Sequence, residues 1–168
     1  IDFTNNGAWR MTTSKQYDHL NRLLQIGAAL YASAAVSSAY VHNDANQRIQ
    51  TTLADGSYWR YEYDKLGQVT SGKKYWADGT PVAGQQFEYA FDDIGNRTAT
   101  KVGGDERGAG LRAASYTPNV LNQVTNRTVP GAADVMGAAY ATATVTVQGQ
   151  SAYRKGEYYR TELSLNNA

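Results

Sequence analysis

The chain has 168 residues, 42% hydrophobic and 18% charged, a composition typical of a folded globular protein. Its 16 basic and 15 acidic residues give a net charge of +1, which argues against a nucleic-acid partner. It contains no cysteine for disulfides or thiolate chemistry, and no apolar run long enough for membrane insertion. The 13 tyrosines and 16 glycines favour half-buried strands joined by tight turns.

One residue frame recurs five times, in "QYDHLNRLLQI", "YVHNDANQRIQ", "YEYDKLGQVTS", "YAFDDIGNRTA" and "YTPNVLNQVTN". Each copy centres on Asp or Asn, whose side chain accepts hydrogen bonds from following backbone amides and opens a turn. Asn or Gly stands three positions later and tolerates the left-handed conformation that closes the turn. Because the flanks alternate, each copy predicts strand, turn and strand. The centres are Asp18, Asn43, Asp64, Asp92 and Asn119, and the closing residues are Asn21, Asn46, Gly67, Gly95 and Asn122.

The remaining elements also predict an all-β protein of antiparallel strands. "ADG" at residues 54–56 and again at 77–79 is a hairpin-turn signal. The best helical candidate, residues 106–115, contains two glycines that argue against a helix. Beyond Pro130 the character changes, with strands predicted at 143–147 and 158–165 around a hairpin at Gly149. We therefore expect a β region over residues 1–128 and a partial, truncated Ig-like β module over 129–168.

At the copies centred on Asp18, Asp64 and Asp92 the chain resembles the YD-repeat proteins of the bacterial RHS family, and the resemblance covers roughly residues 9–127. The resemblance implies a curved antiparallel sheet that is a patch of a large hollow shell. Shells of this family enclose a toxin or act at the cell surface in contact with carbohydrate. The resemblance further implies that the chain is a fragment of an extracellular or bacterial cell-surface protein. The partners of such a fragment are polysaccharide or the rest of its own RHS shell. The C-terminal region more loosely resembles an Ig-like or glucan-binding β module.

Exposed strand edges would make a sheet patch of this kind prone to pairing with other chains. An unpaired edge presents backbone N–H and C=O groups to any neighbouring strand. We therefore also expect a homo-oligomer that forms through these edges.

The acidic turn "FDDIGN" is the candidate metal site. Asp92, Asp93 and Asn96 offer three oxygen ligands within five residues, and Ca²⁺ takes six to eight oxygens in flexible geometry. The alternative is turn capping, which Asn performs as well as Asp, as Asn43 and Asn119 indicate. Calcium is the one cofactor that the sequence indicates.

The two histidines, His19 and His42, are the candidates for catalysis, together with Asp92. A nucleophile, a base and an orienting group must meet in space for such chemistry. No G-x-S-x-G elbow is present, and two histidines are too few for a zinc site.

Aromatic residues in the middle copies are the candidates for binding. Alternation along a strand puts Trp59, Tyr61 and Tyr63 on one face, and Tyr75 and Trp76 follow nearby. Such rings form either a ladder that packs the sheet or a flat platform for sugar rings.

Two functions therefore remain open. The first is a structural or interaction segment of an RHS protein, used for encapsulation or glycan contact and without enzymatic activity. The second is a small hydrolase that acts on an ester, lactone or glycoside, with or without calcium.

Overall fold

The computed structural model describes residues 1–166, which form only strands and turns, so the predicted all-β class is confirmed. Within this range no helix is long and apolar enough to cross a membrane. The strands are β1 (Asp2–Asn5), β2 (Ala8–Tyr17), β3 (Leu23–Leu30), β4 (Ser33–His42), β5 (Arg48–Leu53), β6 (Tyr58–Tyr63), β7 (Val69–Tyr75), β8 (Pro81–Phe91), β9 (Arg97–Gly103), β10 (Leu111–Pro118), β11 (Val124–Arg127), β12 (Ala132–Ala138), β13 (Thr146–Val147), β14 (Gln150–Ser151), β15 (Tyr153–Lys155) and β16 (Tyr158–Ser164).

Two compact units divide the chain, Ile1–Thr80 and Pro81–Ala168. In the first unit β1 to β7 pair in chain order as an antiparallel meander. In the second unit β8 to β11 form a further meander, β12, β16 and β15 form a three-stranded sheet, and β13 pairs with β14. The predicted division after residue 128 falls between β11 and β12, and as a domain boundary it stays a prediction.

The register of the first unit gives its sheet two different faces. Ala28 lies opposite both Thr13 and Val36, and Ser38 lies opposite both Ile26 and Leu53. Side chains opposite one another share a face, so the aliphatic ones collect on one side of β2 to β5. The alternate residues of these strands are mostly polar or small.

This sheet has no hydrophobic core of its own. Its buried side chains are polar, those of Thr51, Ser57 and Ser71. Among the described residues of the unit no apolar side chain is buried, and Val36 is 54% exposed. A sheet normally buries one face against a second layer, so the aliphatic face of this unit is uncovered.

Within residues 1–166, eight hairpin turns share one backbone pattern. The first residue of each turn donates its N–H to the C=O of the residue four positions later, and its own C=O accepts from the N–H three positions later. The fourth residue has a positive φ, as in Asn21 (60°) and Gly67 (83°). This pattern is a type I turn followed by a left-handed residue, which adds a bulge and matches the twist of the strands. The first residues are Asp18, Asn43, Leu53, Asp64, Trp76, Asp92, Asp105 and Asn119.

All five predicted centres form such turns, and their side chains do the capping. Oδ1 of Asp64 accepts from the N–H groups of Leu66 and Gln68, both at 2.9 Å. The Asn119 amide oxygen does the same for its own turn, which shows why Asn and Asp interchange. Asp105 opens a sixth capped turn, where the sequence showed only a weak helical candidate.

Asp18 adds a charge to this capping. Burial alone would raise the pKa of Asp18. The pKa is nevertheless lowered to about 2, because Asp18 accepts hydrogen bonds from the backbone and side chain of Arg22 and from the N–H of Leu20. The positive charge of Arg22 lowers it further. The Arg22 Nε lies 2.6 Å from Asp18 Oδ2. The carboxylate is therefore held in its charged form.

The second unit has a small core in which its two larger sheets meet. Its buried apolar side chains are Val82, Ala83, Ala114 and Leu163. Tyr158 on β16 donates from its hydroxyl to the Ala83 carbonyl on β8 at 2.5 Å. Burial raises the pKa of this tyrosine, which keeps its hydroxyl a donor.

Four charged side chains fasten the three-stranded sheet to β10. Arg112 on β10 pairs with Asp134 on β12 and with Glu162 on β16, the latter at 2.5 Å. Arg160 pairs with the same two carboxylates, at 2.5 and 2.6 Å. The Asp134 side chain is 8% exposed, so both guanidinium groups compensate a nearly buried charge. The hydrogen bond from Arg112 to Asp134 raises the pKa of Arg112 further.

Gly84 on β8 allows this close packing. A Cβ at Gly84 would lie 2.5 Å from the Met136 sulfur and 3.3 Å from Cγ of Arg160. Its φ of 81° is also one that side chains rarely adopt. Both facts favour glycine at this position.

We expect Asp18→Asn to remove part of the acid sensitivity of the protein. A carboxylate with a lowered pKa contributes stability that is complete above its unfolded value of 3.8 and is lost as pH falls toward about 2. Urea unfolding from pH 7 to pH 2 should show a smaller loss below about pH 4 for the variant than for the wild type. Asp93→Asn, in a turn but outside the capping position, is the control. Parallel loss of stability in the wild type and Asp18→Asn would contradict this account of the turn.

We expect Gly84→Ala to destabilise the protein by about 1–3 kcal/mol more than Gly110→Ala. Gly110 has a similar φ of 71°, but a Cβ there would meet nothing within 4 Å. The difference in the free energy of unfolding therefore isolates crowding against Met136 from backbone strain. Equal effects of the two substitutions would show that β12 and β16 yield to the added methyl group.

Candidate functional site

The predicted aromatic residues divide between the two faces of the first unit. Trp59 and Tyr61 lie on one face of β6, with ring centroids 6.5 Å apart and ring planes within 8° of parallel. Tyr75 lies opposite Tyr58 on the other face, where the two rings stack at 5.3 Å. Tyr75 is therefore not brought together with Trp59 and Tyr61. Among the five predicted binding residues, Trp59 and Tyr61 are the two whose rings are aligned.

A glycine lies opposite one ring of this aligned pair. Tyr61 lies opposite Gly72 on β7, and a Cβ at Gly72 would lie 3.7 Å from the tyrosine Cδ1. A Cβ at this position would be in ordinary van der Waals contact with the ring. The other two predicted residues have different surroundings: Tyr63 donates its hydroxyl to the Arg48 carbonyl at 2.7 Å, and Trp76 opens the turn at 76–80.

Arginine stacks on the tyrosine that precedes several of the turns. The guanidinium of Arg48 lies 4.0 Å from the ring centroid of Tyr40, and the corresponding distance is 5.1 Å for Arg97 over Tyr89. In both pairs the tyrosine stands three residues before the turn centre and the arginine five residues after it. That fixed spacing is the signal in the sequence, and our sequence reasoning missed it. This cation–π contact covers part of the strand surface beside the turn.

A shallow apolar groove crosses the aliphatic face of the first unit. It has a volume of about 590 Å³ and is lined mainly by Ile26, Ala28, Val36, Ser38 and Leu53. Its walls are small or aliphatic side chains on β3, β4 and β5. The period-two pattern of these strands is the only sequence signal for it. The groove can accept apolar groups and offers few polar partners.

The candidate calcium ligands serve their own turn. Oδ1 of Asp92 accepts from the N–H of Asn96 at 2.7 Å and from that of Ile94 at 3.1 Å. Its Oδ2 accepts from the Asn96 side chain at 2.9 Å, and this bond is the main cause of the lowered pKa of Asp92. Between residues 1 and 166, no three His, Cys, Asp or Glu side chains cluster as metal ligands would. Calcium binding by Asp92, Asp93 and Asn96 stays a prediction.

The candidate catalytic residues lie in separate turns. His19 is exposed in the turn at 18–22, and His42 ends β4 with its Nδ1 buried and without a hydrogen-bond partner in the described chain. Asp92 belongs to the other unit, where its carboxylate caps a turn. The structure shows no hydrogen bond between the two histidines within residues 1–166, so it adds no geometric support for a hydrolase.

Successive turns on one edge of each unit are linked by side chains. The fifth residue of one turn reaches the fourth, left-handed residue of the next. Arg22 Nη1 donates to Asn46 Oδ1 at 3.0 Å, and Asn96 Nδ2 donates to Asn122 Oδ1 at the same distance. Gln47 is likewise the fifth residue of its turn and lies beside Gly67, the fourth residue of the next turn. The Gln47 Nε2 is 3.5 Å from the position that a Cβ of residue 67 would occupy. We call this arrangement the turn ladder.

Comparison with known proteins matches the repeat region to one family. Residues 42–81 match the family model described as RHS Repeat. No curated protein matches the chain.

Two solved structures share the fold. The chain is similar to a chain in the crystal structure of TcdB2-TccC3-Cdc42, with a TM-score of 0.63 and 11% identity, over 96% of this chain and 9% of that one. It is also similar to a chain in the crystal structure of TcdB2-TccC3-TEV, with a TM-score of 0.55 and 14% identity, over 80% and 6%. The chain thus spans less than a tenth of the length of the structures that it matches.

The capped strand–turn–strand units, the family match over β5 to β7 and the shared open antiparallel fold agree with one another. Residues 42–81 therefore match an RHS repeat, and the chain shares its antiparallel fold with the two solved structures.

Proposed function

We propose that the chain is a wall segment of an RHS shell, whose aliphatic face lines an enclosed space and whose strands continue into further RHS strands. One observation carries this proposal. The first unit has an aliphatic face, but none of its described apolar side chains is buried. An aliphatic face of this kind adds to the stability of a sheet when something else covers it.

The edges of the sheets support the same proposal. β1 pairs only with β2, and β11 pairs only with β10, so each has one unpaired side within residues 1–166. All four residues of β1 and all four of β11 are exposed. Open edges are aggregation sites in a finished domain, but in a wall they are the points at which it continues.

The proposed location is extracellular or on a bacterial cell surface, and the proposed role is encapsulation without catalysis. The opposite face of the first unit carries polar residues that suit contact with water. The aliphatic face would line the interior, in contact with enclosed polypeptide. The two faces of one thin sheet thus separate an inside from an outside.

Cysteine labelling tests this proposal, because the chain has no cysteine of its own. Val36→Cys marks the aliphatic face, and Ala35→Cys, also exposed, marks the opposite one. Both should react at similar rates with a polymer-linked maleimide in this chain alone. In the protein encoded by the complete reading frame, Val36→Cys should react at least about tenfold more slowly, because the reagent is kept outside. Equal labelling of the two sites in that longer protein would overturn the proposal.

Glycan contact is the second candidate, and the aligned Trp59–Tyr61 pair favours it. Parallel rings on an open strand surface offer flat apolar contact to the C–H faces of sugar rings. Lys74 lies directly opposite Trp59, which would add a cation near an acidic sugar.

We expect Trp59→Ala to weaken binding to a glycan identified on an array by about fivefold, about 1 kcal/mol of ring contact. Tyr75→Ala, which removes a ring from the other face, should leave the affinity unchanged. Binding is measured by calorimetry on the full chain. No bound glycan on the array, or equal losses from the two variants, would remove this candidate.

A further inference from the structure

Two arginines of the second unit stack on tyrosine rings of neighbouring strands. Arg97 begins β9, and its Cζ lies 5.1 Å from the ring centroid of Tyr89. Arg127 ends β11, and its Cζ lies 5.4 Å from the ring centroid of Tyr116, which it faces directly across the pairing of β10 with β11. Because β10 runs between β9 and β11, the two arginines stand on strands only about 10 Å apart.

Both arginine charges act on the Tyr116 hydroxyl. A hydrogen bond from Thr100 lowers the pKa of Tyr116, and burial opposes this change. The charges of Arg127 and Arg97 lower the pKa further, as does a hydrogen bond from Arg97. Two cations therefore meet at one point of the strand surface.

No carboxylate compensates these two charges. Within residues 1–166 neither Arg97 nor Arg127 forms an ion pair. Arg112 and Arg160, in the same unit, each pair with two carboxylates. Like charges held close together cost free energy, so an anion bound beside Tyr116 would lower the energy of this arrangement.

Stacking leaves the hydrogen-bond donors of both arginines available. A guanidinium contacts a ring through its flat face, whereas its N–H groups lie in its own plane. The stacked side chain is thus already ordered for a bidentate pair of hydrogen bonds to a carboxylate. Binding at such a side chain costs less conformational entropy than binding at a mobile one.

The turns beside these arginines expose aliphatic side chains. Ile94, in the turn that precedes Arg97, is 73% exposed, and Leu121, in the turn that precedes β11, is 71% exposed. The two turns are joined by the hydrogen bond from Asn96 to Asn122 of the turn ladder. Arginine and tyrosine beside exposed apolar groups are typical of protein–protein contacts.

We propose that Arg97, Arg127 and these two turns form a docking surface for an acidic polypeptide segment with aliphatic residues between its carboxylates. Carboxylates of the segment accept hydrogen bonds from the two guanidinium groups, and its aliphatic side chains cover Ile94 and Leu121. The exposed aliphatic groups favour a polypeptide over an acidic polysaccharide, which has no such side chains to cover them. This surface is separate from the aliphatic face of the first unit and from the Trp59–Tyr61 pair.

The test uses the full chain and a labelled twelve-residue peptide of alternating glutamate and valine, with binding followed by fluorescence anisotropy. A lysine–valine peptide reverses the charge, and a glutamate–serine peptide removes the aliphatic groups. Polygalacturonate serves as an acidic polysaccharide. We expect the glutamate–valine peptide to bind at least about tenfold more tightly than either other peptide or the polysaccharide.

The double variant Arg97→Gln, Arg127→Gln should weaken binding of the glutamate–valine peptide by about tenfold or more. Its matched control is Lys101→Gln, Arg107→Gln, which removes two positive charges from the same unit. Each of these control residues pairs with a glutamate, at 3.3 and 4.0 Å, and the control should change the affinity by less than about twofold. Arg97→Lys, Arg127→Lys keeps the charge but loses the bidentate geometry, and it should bind at least about threefold more weakly than the wild type.

Equal losses in the two glutamine double variants would overturn the docking surface, as would the absence of peptide binding. The lysine double variant gives the same test if the glutamine variant does not fold, because unchanged binding there would show attraction by charge alone. Tighter binding of polygalacturonate that depends on Arg97 and Arg127 would overturn the polypeptide partner. The cysteine labelling reports on the first unit, so these outcomes leave the proposed wall function standing.

Discussion

The capped turn with its left-handed fourth residue is the constraint on which the rest of the structure depends. The Asp or Asn side chain fixes the first half of the turn, and Asn or Gly allows the reversal that closes it. The added bulge then sets which residue of one strand meets which residue of the next. A slip of one residue would move every aliphatic side chain to the other face. The two-faced sheet of the first unit is thus a consequence of its turns.

Stability here comes from local polar contacts more than from a core. Each turn satisfies its own backbone groups, and the side-chain links and the arginine–tyrosine contacts join one hairpin to the next. The second unit adds the cluster of Arg112, Asp134, Arg160 and Glu162, whose charges compensate one another where the two sheets meet. A thin sheet can be well ordered in this way and still leave an aliphatic face open.

The parts of the fold that could be predicted from the sequence are those with local causes. The five turn centres need only a few neighbouring residues, and Trp59 and Tyr61 share a face because they are two apart. The turn at Asp105 lacks the aromatic flank of the other copies, which hid it. The position of Tyr75 depends on pairing across a bulged hairpin, which spacing along the chain does not reveal. Arg112 lies 22 residues from Asp134 and 50 from Glu162, so only the folded arrangement joins them.

The turn ladder makes each hairpin depend on its immediate neighbours and on little else. A structure of this kind behaves as a one-dimensional array, in which the free energy is a sum of hairpin terms and nearest-neighbour terms. Fraying then begins at an end, where one neighbour is missing, and hairpins in the middle of the array open last. Under a pulling force such an array would release its strands in steps, one hairpin at a time. Lengthening the array would leave the stability of each interior hairpin unchanged.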